Sequence, residues 1–168
     1  LGLEFLSPAK KGKPSLAGLV ARLSQALILL LFLLDFLIWR PSWDRSTFSG
    51  LLTQGFRGDV MRSFFLMSSL LVSIIGETYL RRRNLPRGEF HGLVMLASAA
   101  LMLLAQSSHF VMLFMALEAA AVCFFVLVGY RRESAKSLEA GMKYLIFGAL
   151  SSSLFLFGIV LMYGVAIG

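Results

Sequence analysis

The chain has 168 residues, 58% of them hydrophobic, and carries 16 Lys and Arg against 9 Asp and Glu, a net charge of +7. Its mean hydropathy of +0.80 is above that of a soluble domain of ordinary composition, so most of the chain is committed to lipid and little is left for a water-soluble catalytic domain. The basic residues gather at the ends of apolar segments, where they orient a membrane protein and meet anionic headgroups; nucleic acid is thereby excluded as a partner and the lipid bilayer is implied.

Residues 1–15 begin with Leu1 and carry Lys10, Lys11 and Lys13 without the apolar core and cleavage site of a signal peptide, which reads as a piece of a longer protein. A spanning helix takes about 20 apolar residues. The first such span is expected over 16–39, with the core ALILLLFLLDFLIW ending at the stop signal Arg40 and Pro41; Arg22 lies near its start and Asp35 near its outer end. The loop 41–59 holds Gly50, Gly55 and Gly58 and is expected to form a short interfacial helix around 47–55. Span two, 60–80, is rich in Ser and ends at Arg81, Arg82 and Arg83, with Glu77 placed to pair with Arg81 and Asp59 with Arg62. Span three, 89–106, joins span four, 109–129, through Ser107 and Ser108, and span five runs over 138–165. The chain is therefore expected to be all-α: a polytopic bundle of about five transmembrane helices forming one region over 1–168.

Counting Lys and Arg in alternate loops sets the orientation. One side receives Lys10, Lys11, Lys13, Arg81, Arg82, Arg83, Arg87, Arg131, Arg132 and Lys136; the other receives Arg40, Arg45 and Arg57. The richer side is expected to be cytoplasmic in a multi-pass membrane protein.

A charge near the bilayer centre costs about 2.5–3.5 kcal/mol on insertion scales, so such a residue faces a protein or water-filled interior. Glu118 lies roughly 14 Å from the His109 end of span four and roughly 16 Å from the Gly129 end, with no other charge in HFVMLFMALEAAAVCFFVLVG. A carboxyl there can exchange a proton as a cation approaches or leaves, or can simply hydrogen-bond to a neighbouring helix. Lys143, about 7–8 Å into span five, is the second candidate, although it can snorkel and has Glu139 four residues before it. Asp35, Glu139 and His109 are weaker candidates for a proton path. His91 and His109 are placed near opposite membrane surfaces. Cys123 reads as a small hydrophobe. The sequence shows no clustered metal ligands, Gly-rich phosphate loop, CxxC pair or Ser, His and Asp set, so no metal or cofactor site is expected in this chain.

From Gly88 to Gly164 the sequence carries RGEFHGLVMLASAALMLLA, LFMALE, FVLVGYRRESAKSLEAGMKY and GALSSSLFLFGIVLMYG. In these it resembles the antiporter-like membrane subunits, chain N, of the bacterial proton-pumping NADH:quinone oxidoreductase (respiratory complex I); 50–85 resembles the preceding part of that family more loosely. The resemblance implies that Glu118 of the LE motif and Lys143 of the EAxxKY motif belong to a polar proton path coupled to quinone reduction. It further implies that NADH, FMN, iron–sulfur clusters and quinone are handled in partner subunits, with other membrane subunits as neighbours and the quinone pool reached only indirectly. The family builds its channels from two inverted helical repeats, so this chain is expected to hold only an entrance half-set; Ala119, Ala120, Ala121 and Val122 replace the family's usual Leu and Ser after the LE motif. A subunit of a multisubunit cation/proton antiporter or a membrane-bound hydrogenase is the alternative within transport. A non-catalytic membrane anchor or assembly subunit is the alternative of another class.

Overall fold

A computed structural model describes residues 16–37, 45–47, 51–83 and 85–167. Five long helices follow in order: α1 (Leu16–Leu37), α2 (Phe56–Arg83), α3 (Arg87–Gln106), α4 (Phe110–Val128) and α5 (Ala135–Ile167), with strands β1 (Arg45–Thr47) and β2 (Leu52–Gln54) between α1 and α2. All five helices are long and apolar enough to cross a membrane. The basic stretch with Lys10, Lys11 and Lys13 and the stop at Arg40 and Pro41 lie outside the described residues.

The expected interfacial helix around 47–55 is replaced by an antiparallel hairpin in which Arg45 pairs with Gln54, Ser46 with Thr53 and Thr47 with Leu52. Leu52 also bridges to Ser107, and Ser108 N–H donates to Leu51 O at 3.0 Å. The hairpin is thus pinned to the α3–α4 connection. A stretch this short and rich in Ser, Thr and Gly gains too little from helix nucleation to compete with that pairing.

Helix ends follow local chemistry. Asp59 lies in the first turn of α2 and Arg81, Arg82 and Arg83 in its last, each sign matched to the helix dipole. Pro86, extended at φ −60° and ψ 120°, sits ahead of α3. The His109 side chain caps α4 by accepting from Val111 N–H at 3.3 Å. Gly129 closes α4, and a Cβ on Gly141 would come within 3.1 Å of Gly129 Cα, so the two glycines allow α4 and α5 to cross at backbone contact.

Helices α1, α2 and α3 pack mutually, α4 packs on α3, and α5 packs on α4 alone among the described elements. The buried residues are mostly small: Ala21 and Ser24 of α1, Ser69 and Ser73 of α2, Ala97, Ser98 and Ala100 of α3, and Ala116, Ala120 and Cys123 of α4. Lipid tails are as apolar as Leu, so helix association in a membrane depends on this close approach. Ser24, Ser69 and Ser98 return their hydroxyls to their own helices, on Ala21 O, Leu66 O and Val94 O. Large apolar side chains cover the outside, and α5 is the least covered helix, with Leu150, Leu154, Phe157 and Leu161 all exposed.

Candidate functional site

Glu118 lies in the middle of α4, whose 19 residues hold no other charge. Residues 114, 118, 121 and 125 recur on one helical face, and that face meets α5. The Phe114 and Phe155 rings stack with centroids 6.4 Å apart, and Phe125 meets Tyr144 edge-on at 5.2 Å. The antiparallel register set by these pairs brings Ser151 and Ser152 of α5 level with Glu118. The residue is half-buried, and its Oε1 is buried without a hydrogen-bond partner among the described residues. A buried unmatched carboxylate oxygen costs about 1–3 kcal/mol or more, so packing alone is a poor reason for it.

Lys143 is placed differently from the sequence expectation. The α4-facing side of α5 is marked by Gly141, Tyr144, Gly148 and Phe155, and Lys143 falls on the opposite side. It is exposed rather than buried and pairs with Glu139, Nζ to Oε1 at 2.5 Å. The register puts it about 12 Å along the axis from the level of Glu118. Within this chain the structure does not bring Glu118 and Lys143 together.

His109 joins α4 to α5. Its Nδ1 accepts from Val111 N–H, so the neutral ring carries its proton on Nε2, which donates to Tyr163 Oη at 3.1 Å. Asp35 is engaged at both oxygens: Oδ1 accepts from Arg62 Nε at 2.5 Å and from Nη2, and Oδ2 accepts from the Ser63 hydroxyl at 2.5 Å. Arg62 also reaches Asp59 at 3.4 Å. These contacts brace α1 against α2.

Two sequence expectations are corrected at the other end of the bundle. Glu77 pairs with Arg87 of α3, Oε1 to Nη1 at 3.4 Å, instead of Arg81 on its own helix, because α2 and α3 are antiparallel and the Arg87 side chain returns across the turn. His91 is only 1% exposed, not a surface residue; its Nδ1–H donates to Arg87 O at 2.8 Å, and its Nε2 is buried without a partner among the described residues. The signal for it was present in the spacing of residues 87, 91, 94 and 98, one helical face that opposes Ser69, Ser73 and Glu77 at fourfold spacing.

In the α4–α5 loop the Tyr130 hydroxyl donates to Pro86 O, and its ring meets Phe90 edge-on. Burial, with the Glu89 carboxylate nearby, pushes the Tyr130 phenol above its usual range. Arg132 reaches Glu89 at 3.6 Å across an open surface. Among the described residues no group of three His, Cys, Asp or Glu could hold a metal ion.

Residues 107–166 match the family described as NADH:quinone oxidoreductase/Mrp antiporter, TM. The chain is 59% identical over 119 residues to NADH-quinone oxidoreductase subunit N 1 of Opitutus terrae, covering 71% of this chain and 24% of that protein. It is 40% identical over 117 residues to subunit N of Xanthomonas euvesicatoria pv. vesicatoria, covering 70% and 24%. Over 166 residues, 99% of this chain, it is 31% identical to subunit N of Rhodospirillum rubrum, of which it covers 34%. The chain thus spans about a quarter to a third of the length of these curated relatives.

Proposed function

The chain belongs to the subunit N family of NADH-quinone oxidoreductase, and from that premise we propose that it is part of a membrane subunit that contributes to proton translocation coupled to quinone reduction. The observation that carries the reading is Glu118: one carboxyl in the middle of an apolar span, with a buried oxygen that no described group satisfies. A proton bound there neutralises the group, and a proton released leaves a charge that a neighbouring cation or dipole must stabilise. Glu118 thereby alternates between two charge states without bond chemistry on NADH or quinone. NADH, FMN, the iron–sulfur clusters and quinone belong to partner subunits, and this chain's residues bind none of them.

Lys143 takes the second role in this proposal. It faces away from Glu118, on the uncovered side of α5, so its exchange partner comes from a helix beyond these five rather than from α4. Other membrane subunits of the same complex and lipid cover the remaining apolar surface. The Lys and Arg-rich loops face the cytoplasm of a bacterial plasma membrane.

The test is Glu118→Gln in the assembled complex. The amide keeps shape and hydrogen-bonding capacity but cannot titrate, so insertion and assembly should persist while proton uptake by inverted vesicles, or the quinone reduction coupled to it, falls at least severalfold. Glu118→Asp should be milder. Wild-type values for Glu118→Gln in both measurements would return Glu118 to packing and favour an anchoring subunit.

A further inference from the structure

The interior of the α1–α2–α3 group holds a second polar layer that Glu118 does not use. Three helix contacts fix its level. Gln25 Nε2 of α1 donates to Ser73 O of α2 at 3.3 Å; Glu77 of α2 pairs with Arg87 of α3; and the Phe90 ring lies where a Cβ on Gly76 would stand. In this register Ser24 and Gln25, Ser73 and Glu77, and His91 fall within about one helical turn, ~5.4 Å of axis. Three atoms of the layer are buried without a partner among the described residues: Ser73 Oγ, Glu77 Oε2 and His91 Nε2. Buried polar atoms are almost always satisfied, so three unmatched ones at one level point to something that binds there.

We propose that His91 is a proton-binding site, in which Nε2 takes a proton from hydronium and Glu77 Oε2 serves as its counter-charge. Nδ1–H is already committed to Arg87 O, so the neutral ring presents a bare lone pair at Nε2. On uptake an N–H bond forms at Nε2, the O–H bond of hydronium breaks, and water departs. Glu77, paired with Arg87 through Oε1, then shares its level with a second cation, the imidazolium, while its Oε2 has no other partner among the described residues. Before uptake Glu77 and Arg87 cancel; after it the layer carries one net positive charge, which burial disfavours, so the proton is held only while the surrounding field permits and is readily passed on.

The charges around His91 leave Glu77 as its counter-ion. On α3 itself are Arg87, engaged with Glu77, and Glu89, open and paired with Arg132. From α1 the layer receives the uncharged Ser24 and Gln25, while Arg22 is exposed. On α2, Arg81 is exposed. On α4 the Cys123 thiol is buried, and Glu118 lies about 7–8 Å deeper along the same helix. Tyr130 reaches Phe90 from the α4–α5 loop, and β2 packs at the far end of α3, beside Ser107.

The assembled complex, 15N-labelled at histidine and held in lipid vesicles, is followed by solid-state NMR from about pH 8 to about pH 5, the interval in which histidine charge is ordinarily switched. His91 is told apart from His109 and from any other histidine by the signals that disappear in His91→Asn. The expected result is a neutral ring protonated at Nδ1 that converts to imidazolium on acidification, with at least tenfold less imidazolium at matched pH in Glu77→Gln and near-wild-type conversion in Glu77→Asp. A ring that stays neutral throughout, or a titration indifferent to Glu77→Gln, overturns the proposal. Should Glu77→Gln fail to insert, the titration of the chain with Glu77 intact decides the matter by itself. A silent His91 leaves the Glu118 reading untouched, because the readout is the charge of one imidazole and not proton transport.

Discussion

Lys143 Nζ rests 2.5 Å from Glu139 Oε1, one turn back along α5, and both side chains point away from α4. An open pair at this spacing is worth about 0.3–0.5 kcal/mol, so neither Lys143→Gln nor Glu139→Gln should disturb insertion. If Lys143 exchanges charge with a helix beyond α5, Lys143→Gln in the assembled complex should lower vesicle proton uptake severalfold and Glu139→Gln should lower it less. Equal, wild-type uptake in both would leave the pair as surface chemistry.

The Asp35 brace should appear in stability rather than transport. The side chain of Asp35 is 7% exposed while that of Arg62 is 33% exposed and retains Asp59. Asp35→Ala should therefore cost about 2 kcal/mol, below the 3–5 kcal/mol of a fully buried broken pair, read as an earlier thermal transition in detergent. Replacing both partners by Leu should recover much of it. A folded Asp35→Asn protein with lost proton uptake would move Asp35 onto the proton path.

At the α4–α5 crossing, Gly141 can accept no side chain without displacing backbone, since its Cβ would lie 3.1 Å from Gly129 Cα and 3.3 Å from Gly129 N. Gly141→Leu should separate the helices there. In a Cys123→Ser background carrying Phe125→Cys and Tyr144→Cys, a short bifunctional thiol reagent should cross-link efficiently with Gly141 present and severalfold less with Leu. Unchanged cross-linking would show that the glycine contact does not set the crossing.

Orientation is open to direct labelling. Single cysteines in the 81–87 and 131–136 connections of a Cys123→Ser chain should be shielded from an impermeant thiol reagent in intact spheroplasts and should react in inverted vesicles. Reaction of the 81–87 position from the outer face would reverse the orientation set by the Lys and Arg bias.

Five long apolar helices were legible in the chain because each hydrophobic run announces its own length, and its ends are marked by residues that act within a turn: Arg81 to Arg83, Pro86, His109 and Gly129. The same locality singled out Glu118, since depth in a span depends only on residue count. The hairpin was illegible, because β1 pairs with β2 and β2 with Ser107, and a helix of that length has no local advantage to forfeit.

Which face of each helix meets which neighbour is a pairing between segments distant in sequence, and there only the tertiary structure decides. Glu77 selects Arg87 over Arg81, and Asp35 finds Arg62 and Ser63, because antiparallel helices bring those side chains level. His91 stands near the end of an apolar run, where sequence alone places it near a membrane surface; packing of the bundle leaves it only 1% exposed. Lys143, which the family resemblance makes part of a polar path, is left open and paired with Glu139, because α4 covers the other side of α5. Hydropathy reports how deep a residue lies along a helix; its burial depends on rotation about that helix, which is set by the small residues Ala116, Ala120, Gly129 and Gly141 at the contacts.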